Sequence, residues 1–137
     1  MTSLEFTDSN ILLYAYDVRE PHKRAIAREL LDRLWNEGGG LLSTQVLSEF
    51  YHVATRKMGL AGAHAQAEVE AYREWTSLAA DKEHVAAAID LSIADTISFW
   101  DALIVVSAQR CGAERLLSED MQHGRTLLGV RIENPFA

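Results

Sequence analysis

The stretch SFWDALIVVSA, Ser98–Ala108, decides how the rest of the chain reads. From Phe99 to Val106 almost every side chain is apolar, on all sides of a helix, the signature of a helix buried all round rather than one lying on a surface. Asp101 stands among them. Ionised carboxylates rarely enter such surroundings unless something pairs with them, so Asp101 needs a purpose.

Around this helix, short apolar strands alternate with other helices. LEFTDS (4–9) reads as a short buried strand running into NILLYAYD (10–17), a helical or turn-like segment. EPHKRAIARELLDRLWNEGGG (20–40) is an amphipathic helix with Pro21 in its first turn, glycines past its end, and Ile26, Leu30, Leu31 and Leu34 on one face. GLLST (40–44) is a second strand and TQVLSEFYHVATRKMG (44–59) a helix closed by Gly59. GAHAQAEVEAYREWTSL (62–78) and DKEHVAAAIDLSIADTIS (81–98) predict further helices, with a short strand near SLAA (77–80) between them. After the opening helix come a strand in AERLLSED (113–120), a turn around Gly124, and a last strand in GVRIEN (129–134). Such alternation predicts an α/β fold, a mainly parallel sheet covered on both faces. Ligands then bind beyond the carboxyl ends of the strands.

The 137 residues suit one domain, 1–137, with a single core, and no linker or repeat interrupts them. No apolar run is long enough to span a membrane, and MTSLEFTDSN lacks the basic and apolar regions of a signal peptide, so a cytoplasmic protein is expected. The lone Cys111 excludes an internal disulfide and a cysteine-based zinc site. The net charge of −7 argues at first against a nucleic-acid partner. With four acids gathered in one metal site, however, 16 acids would face 13 bases elsewhere, and a basic rim becomes possible.

Four acids sit at equivalent places. Asp8 follows the first strand, Glu49 lies within two turns of the second, Asp101 opens the buried helix, and Asp120 follows RLLSE. Each has a modest explanation: Asp8 as a helix N-cap, Asp101 three residues after Ser98 at capping-box spacing, Glu49 as a solvated helix residue, Asp120 as part of a turn. Together these explanations weaken, because a parallel sheet brings all four junctions to one edge. Two charges ~4 Å apart repel by about 4 kcal/mol at an effective dielectric of ~20. Several such pairs rival a domain's total stability of ~5–15 kcal/mol. The cluster therefore requires protons or cations, and oxygen ligands suit Mg²⁺ or Mn²⁺. His22, His52, His64, His84 and His123 show no ligand spacing and read as surface or lining residues.

The segments FTDSNILLYAYD (6–17), LLSTQVLSEFYHV (41–53), SFWDALIVVSAQRCGAERLLSEDMQHG (98–124) and VRIENPF (130–136) together resemble the PIN-domain ribonucleases, and among them the VapC-type toxins of bacterial toxin–antitoxin pairs. The resemblance implies an α/β/α sandwich, metal-dependent RNA cleavage, inhibition by a cognate antitoxin, and a homodimer. The family's acids carry over to Asp8, Glu49, Asp101 and Asp120, its small hydroxyl residue to Ser118 and its first-motif Asn to Asn10. Here that motif reads Asp-Ser-Asn where Asp-Thr-Asn is usual, an exchange that keeps the hydroxyl. Glu119 adds a second acid beside Asp120, and motif position favours Asp120 as the one facing the metal.

On this reading Asp8, Asp101 and Asp120 hold the principal Mg²⁺ or Mn²⁺, Glu49 completes the shell or orients the attacking water, and Asn10 and Ser118 fix the carboxylates. Lys23, Arg24 and Arg28, or Arg56 with Lys57, are candidate phosphate contacts for the RNA substrate, although cations at a helix C-terminus also complement its dipole. Tyr14, Tyr16, Phe50, Tyr51 and Trp35 are candidates for an antitoxin-binding groove, although aromatic residues of this kind more often belong to the core. A phosphoacceptor receiver would want paired acids at the first strand and a Lys after the last, and an Asp-x-Asp phosphohydrolase fails on Asn10. A non-catalytic PIN-like module that binds a regulatory partner is the remaining alternative; it has no need of all four acids.

Overall fold

The structure, a computed structural model, describes residues 2–137. In chain order the elements are β1 (Glu5–Thr7), α1 (Ser9–Tyr14), α2 (Pro21–Glu37), β2 (Gly40–Ser43), α3 (Thr44–Arg56), α4 (Gly62–Tyr72), β3 (Thr76–Leu78), α5 (Lys82–Asp95), α6 (Phe99–Arg110), β4 (Arg115–Leu117), β5 (Thr126–Leu127) and β6 (Val130–Glu133). The strands form one sheet in the order β3-β2-β1-β4-β6-β5. All neighbours pair in parallel except β5, which runs antiparallel to β6. The order steps outward from β1 to β3 and then restarts on its other side at β4. The crevice between the carboxyl ends of β1 and β4 is therefore the switch point where open α/β sheets bind ligands.

The opening helix is α6. Every residue from Ala102 to Ala108 is buried, because α6 packs against α5 and also touches β2, β4 and β6. Burial of Leu103, Ile104, Val105 and Val106 contributes about 1.5–3 kcal/mol per side chain. On the other side of the core, α1 packs against α2 and α3, and α3 against α4. Among the described residues, no helix is long and apolar enough to cross a membrane.

Several elements are shorter than the sequence suggests. The helix expected through residues 62–78 stops at Tyr72, tightens into a 3-10 turn at Arg73–Trp75 and releases β3, which pairs with β2. The reason is Trp75, which is buried and stacks with Trp35 at a ring separation of 4.5 Å. The helix expected through 81–98 ends at Asp95, where Thr96 turns the chain at φ 54°, ψ 52°. The short β5 was not legible: its two residues are held only by the hairpin with β6. His84 is buried rather than a surface or lining residue: its Nδ1 lies 2.7 Å from Asp81 Oδ1, closing the N-terminus of α5.

Gly40 illustrates how tightly this corner packs. A Cβ there would lie 2.6 Å from Trp75 Cε2, inside the indole ring's contact distance. Gly40→Ala is expected to cost about 1–3 kcal/mol by overpacking. Chemical denaturation would show the midpoint falling with an unchanged slope.

Candidate active site

Asp8 leaves β1 and caps α1: its Oδ1 accepts the Ser9 N–H at 2.7 Å. Its Oδ2 accepts the Ser118 hydroxyl at 2.8 Å and the Asn10 amide at 3.3 Å. Ser118, the residue after β4, is fully buried, and its Oγ also accepts the Asp120 N–H at 3.2 Å. The Asn10 Nδ2 donor faces Ser118 Oγ at 3.3 Å and Asp120 Oδ2 at 3.1 Å, while Asn10 Oδ1 accepts the Glu119 N–H at 3.2 Å. One asparagine thus ties the start of α1 to the loop after β4 across the switch point.

Glu49 lies about one and a half turns into α3, on the helix leaving β2. Its Oε2 accepts the Ser9 hydroxyl at 2.8 Å and its Oε1 the Gln45 amide at 2.9 Å. Gln45 was missed by the sequence reading; its spacing of four residues from Glu49 on one helix was the available signal. Asp101 is the third residue of α6, and its backbone N–H donates to Ser98 Oγ at 3.1 Å, so Ser98 and not Asp101 caps the helix. The carboxylates of Asp101 and Asp120 belong to residues that border one shared cavity.

Electrostatics links all four acids. Asp8 is only 5% exposed, and burial pushes its carboxyl up to about 6 against the opposing hydrogen bonds of Ser118 and Ser9, with Glu49 and Asp120 adding to the rise. Asp101 is also raised, by burial first, against the Ser98 hydroxyl, and then by Asp120 and Glu49. Among the described residues, no Lys, Arg or His forms an ion pair with Asp8, Glu49, Asp101 or Asp120. Nor do three His, Cys, Asp or Glu side chains converge there into a ready-made metal shell. The donor set is nevertheless all oxygen and has no cationic partner among the described residues, a chemistry that fits a hard divalent cation.

Glu119 turns elsewhere. It makes a short ion pair with Lys23 of α2, and the Tyr14 ring lies beneath the same ammonium at 4.9 Å. Burial pushes the Glu119 carboxyl up, but Lys23 and the Tyr14 hydroxyl outweigh it and hold it below the usual carboxylate range. The carboxylate of Asp120, not that of Glu119, therefore bonds to Asn10.

The sequence matches the PIN domain family over residues 6–126. The chain belongs to the PIN-domain family. No curated protein matches it. Among solved structures it is similar to a toxin–antitoxin complex from Klebsiella pneumoniae (TM-score 0.67, 18% identity, covering 97% of this chain and 98% of that one). It is also similar to DNA-bound VapBC from Salmonella typhimurium (TM-score 0.66, 18% identity, 98% and 99% covered). A third is VapC20 of Mycobacterium tuberculosis, described as a toxin that cleaves the sarcin–ricin loop (TM-score 0.61, 17% identity, 82% and 86% covered).

In this PIN domain the basic candidates are dispersed. Lys23 is engaged by Glu119, Arg28 Nε donates to the Ala15 carbonyl at 2.7 Å, and Arg24 Nε is buried without a protein partner. Arg56 and Lys57 end α3, about two turns and roughly 10 Å along the helix beyond Glu49. The aromatic candidates separate too. Phe50 is fully buried and belongs to the core, since it lies on the inner face of α3 with Val46 and Ala54. Tyr16 and Trp35 line one cavity with Arg28, Glu68 and Tyr72, whereas Tyr51 is exposed on α3 and Tyr14 packs against Phe136.

Proposed function

We propose that this PIN domain is a metal-dependent endoribonuclease acting in the cytoplasm as the toxin of a toxin–antitoxin pair. The observation that carries the reading is the network in which Asn10 and Ser118 tie Asp8 to Asp120 at the switch point, with Glu49 joined through Ser9 and none of the acids paired with a cation. Asp8, Asp101 and Asp120 would hold Mg²⁺ or Mn²⁺, which when bound makes water more acidic and stabilises charge developing on a phosphodiester. Ser118 and Asn10 keep the carboxylates of Asp8 and Asp120 turned toward one another by donating to their oxygens. Glu49, fixed by Ser9 and Gln45, completes the shell or accepts a hydrogen bond from the attacking water. The products are a 5′-phosphate and a 3′-hydroxyl. Expression in a host without the antitoxin should arrest growth, with fragmentation of a discrete RNA. Unimpeded growth with intact RNA at high soluble expression contradicts the reading.

The antitoxin is proposed to lay a helix or extended tail against the cavity lined by Tyr16 and Trp35; similarity to toxin–antitoxin complexes supports the existence of such a partner. The proposed homodimer has its own support. Val85, Ile89 and Ile93 recur every fourth residue on α5 at 39%, 46% and 76% exposure, and Trp100 at the start of α6 is 64% exposed. A second copy of the chain covers this apolar stripe. Sedimentation should give about twice the 15.3 kDa chain mass. Ile93→Asp should shift the species to monomer; a dimer that survives the substitution excludes this face.

A further inference from the structure

We propose that the cavity bordered by Asp101 and Asp120 is a binding site for one nucleobase of the RNA strand being cut, next to the scissile phosphate. The proposal rests on the nuclease reading and adds a specificity site to it. Beyond the two acids the cavity is walled by Ile97, Met121 and Leu127, with Thr96, Gln122 and Arg125 supplying polar groups. Its volume is about 270 Å³. A cavity of about 150 Å³ already holds a benzene ring, and pockets for larger ligands begin near 300 Å³. The space therefore suits a single heterocycle. Its lining is mixed: Ile97, Met121, Leu127 and Ile132 offer apolar surface for a ring's faces, and the polar side chains offer partners for its edges.

Arg125 is prepared for such a role. One terminal nitrogen, Nη2, donates to the Asp95 carbonyl at 3.1 Å and to Asp95 Oδ1 at 3.3 Å. Its backbone N–H donates to the Gln122 carbonyl at 3.3 Å, and its carbonyl accepts from Ile132 at 2.8 Å. The guanidinium is thus held by Asp95 and does not neutralise Asp101 or Asp120. Among the described residues its remaining nitrogens have no protein hydrogen-bond partner and are free to meet a base edge. A phosphate in this cavity would lie against the two acids; an uncharged ring does not incur that repulsion.

The rim carries a second, independent sign. Thr96 is a β-branched residue in the left-handed region, φ 54°. Strain of that kind costs about 1–3 kcal/mol and gathers at functional sites. Glycine would close α5 there without the strain. The corner is nonetheless clamped, with Ser92 Oγ donating to the Ile97 carbonyl at 2.6 Å and Ile97 N–H returning to the Ser92 carbonyl at 3.3 Å. Single-stranded RNA is read by burying splayed bases against such surfaces and hydrogen-bonding their edges.

The test is nuclear magnetic resonance of isotope-labelled, metal-free protein titrated separately with adenosine, guanosine, cytidine, uridine and inorganic phosphate. At least one nucleoside should shift the amide signals of Thr96, Ile97 and Met121–Arg125 in a saturable manner, and phosphate should not. Gln122→Ala and Arg125→Gln should each weaken that binding about tenfold, the size of one lost base-edge contact. In cleavage of a randomised RNA pool, the same variants should still cut but lose base preference at one position beside the cut. Shifts produced by phosphate alone, no shifts with any nucleoside, or binding unaffected by both substitutions would overturn the proposal. Nucleoside binding at this corner in a protein that cuts no RNA would retain the site and remove the nuclease reading.

Discussion

Asp101→Asn protein should fold as the wild type does and fail to cleave RNA. The substitution nearly preserves size, and the hydrogen bond that caps α6 runs from the Asp101 backbone to Ser98, so it is untouched. A residue acting only at the helix end would be replaced by Asn at little cost. What Asn removes is charge. Burial first, and then Asp120 and Glu49, already raise the Asp101 carboxyl, so stability should hold or rise slightly when the charge is removed. The loss of a carboxylate that anchors a cation is worth several kcal/mol in the transition state, about a hundredfold or more in rate. Matched circular dichroism and melting curves, with cleavage rates measured on one RNA, separate these effects. Wild-type cleavage by the mutant would remove Asp101 from the site.

Asp8→Asn should make the metal-free protein more stable at neutral pH and insensitive to metal. In the folded chain the Asp8 carboxyl is pushed up from 3.8 to about 6, chiefly by burial. Below the unfolded value both states carry the proton and nothing is lost. As pH rises through the folded value, the folded protein must ionise a buried acid that the unfolded chain ionised earlier. Wild-type stability therefore falls between about pH 4 and pH 6, by about 3 kcal/mol for a shift of this size. Asn keeps an acceptor for the Ser9 N–H, the Ser118 hydroxyl can rotate from donor to acceptor, and the Asn10 amide, losing Asp8 Oδ2, keeps Asp120 Oδ2 as its acceptor. The mutant should lack this pH-dependent loss and melt on the order of 10 °C higher at pH 7 without metal. Saturating Mg²⁺ or Mn²⁺ should return about 2–3 kcal/mol to the wild type and nothing to the mutant. Identical metal responses in both proteins would exclude Asp8 as a ligand.

The sheet and the placement of the acids were legible because they rest on local signals. An apolar helix with one acid, strands ending in Asp8 and Ser118, and alternation of strand with helix all follow from side-chain periodicity. Part of what stayed hidden depends on partners distant in sequence. Adjacent acids Glu119 and Asp120 differ only in that Lys23, 96 residues away, claims the first and Asn10 the second. Phe50 fits either a groove or the core until α3 is seen to turn it inward beside Val46. His84 reads as polar surface because it follows Asp81, Lys82 and Glu83, and its Nδ1 partner Asp81 is itself largely exposed. Glu5 sits inside β1, buried, and no local pattern announces the Arg33 that reaches it from α2. Thr96 is hidden most deeply, since propensity puts glycine at a left-handed helix end and a strained threonine leaves no trace in composition.

The most direct test of the account is cleavage of RNA by purified wild-type protein, with millimolar Mg²⁺ or Mn²⁺ and with excess chelator, and with Asp101→Asn protein as the control. The account predicts discrete fragments bearing 5′-phosphates with metal, none with chelator, and none from the mutant under either condition. Cleavage that persists in chelator, or that wild type and mutant perform equally, would contradict it.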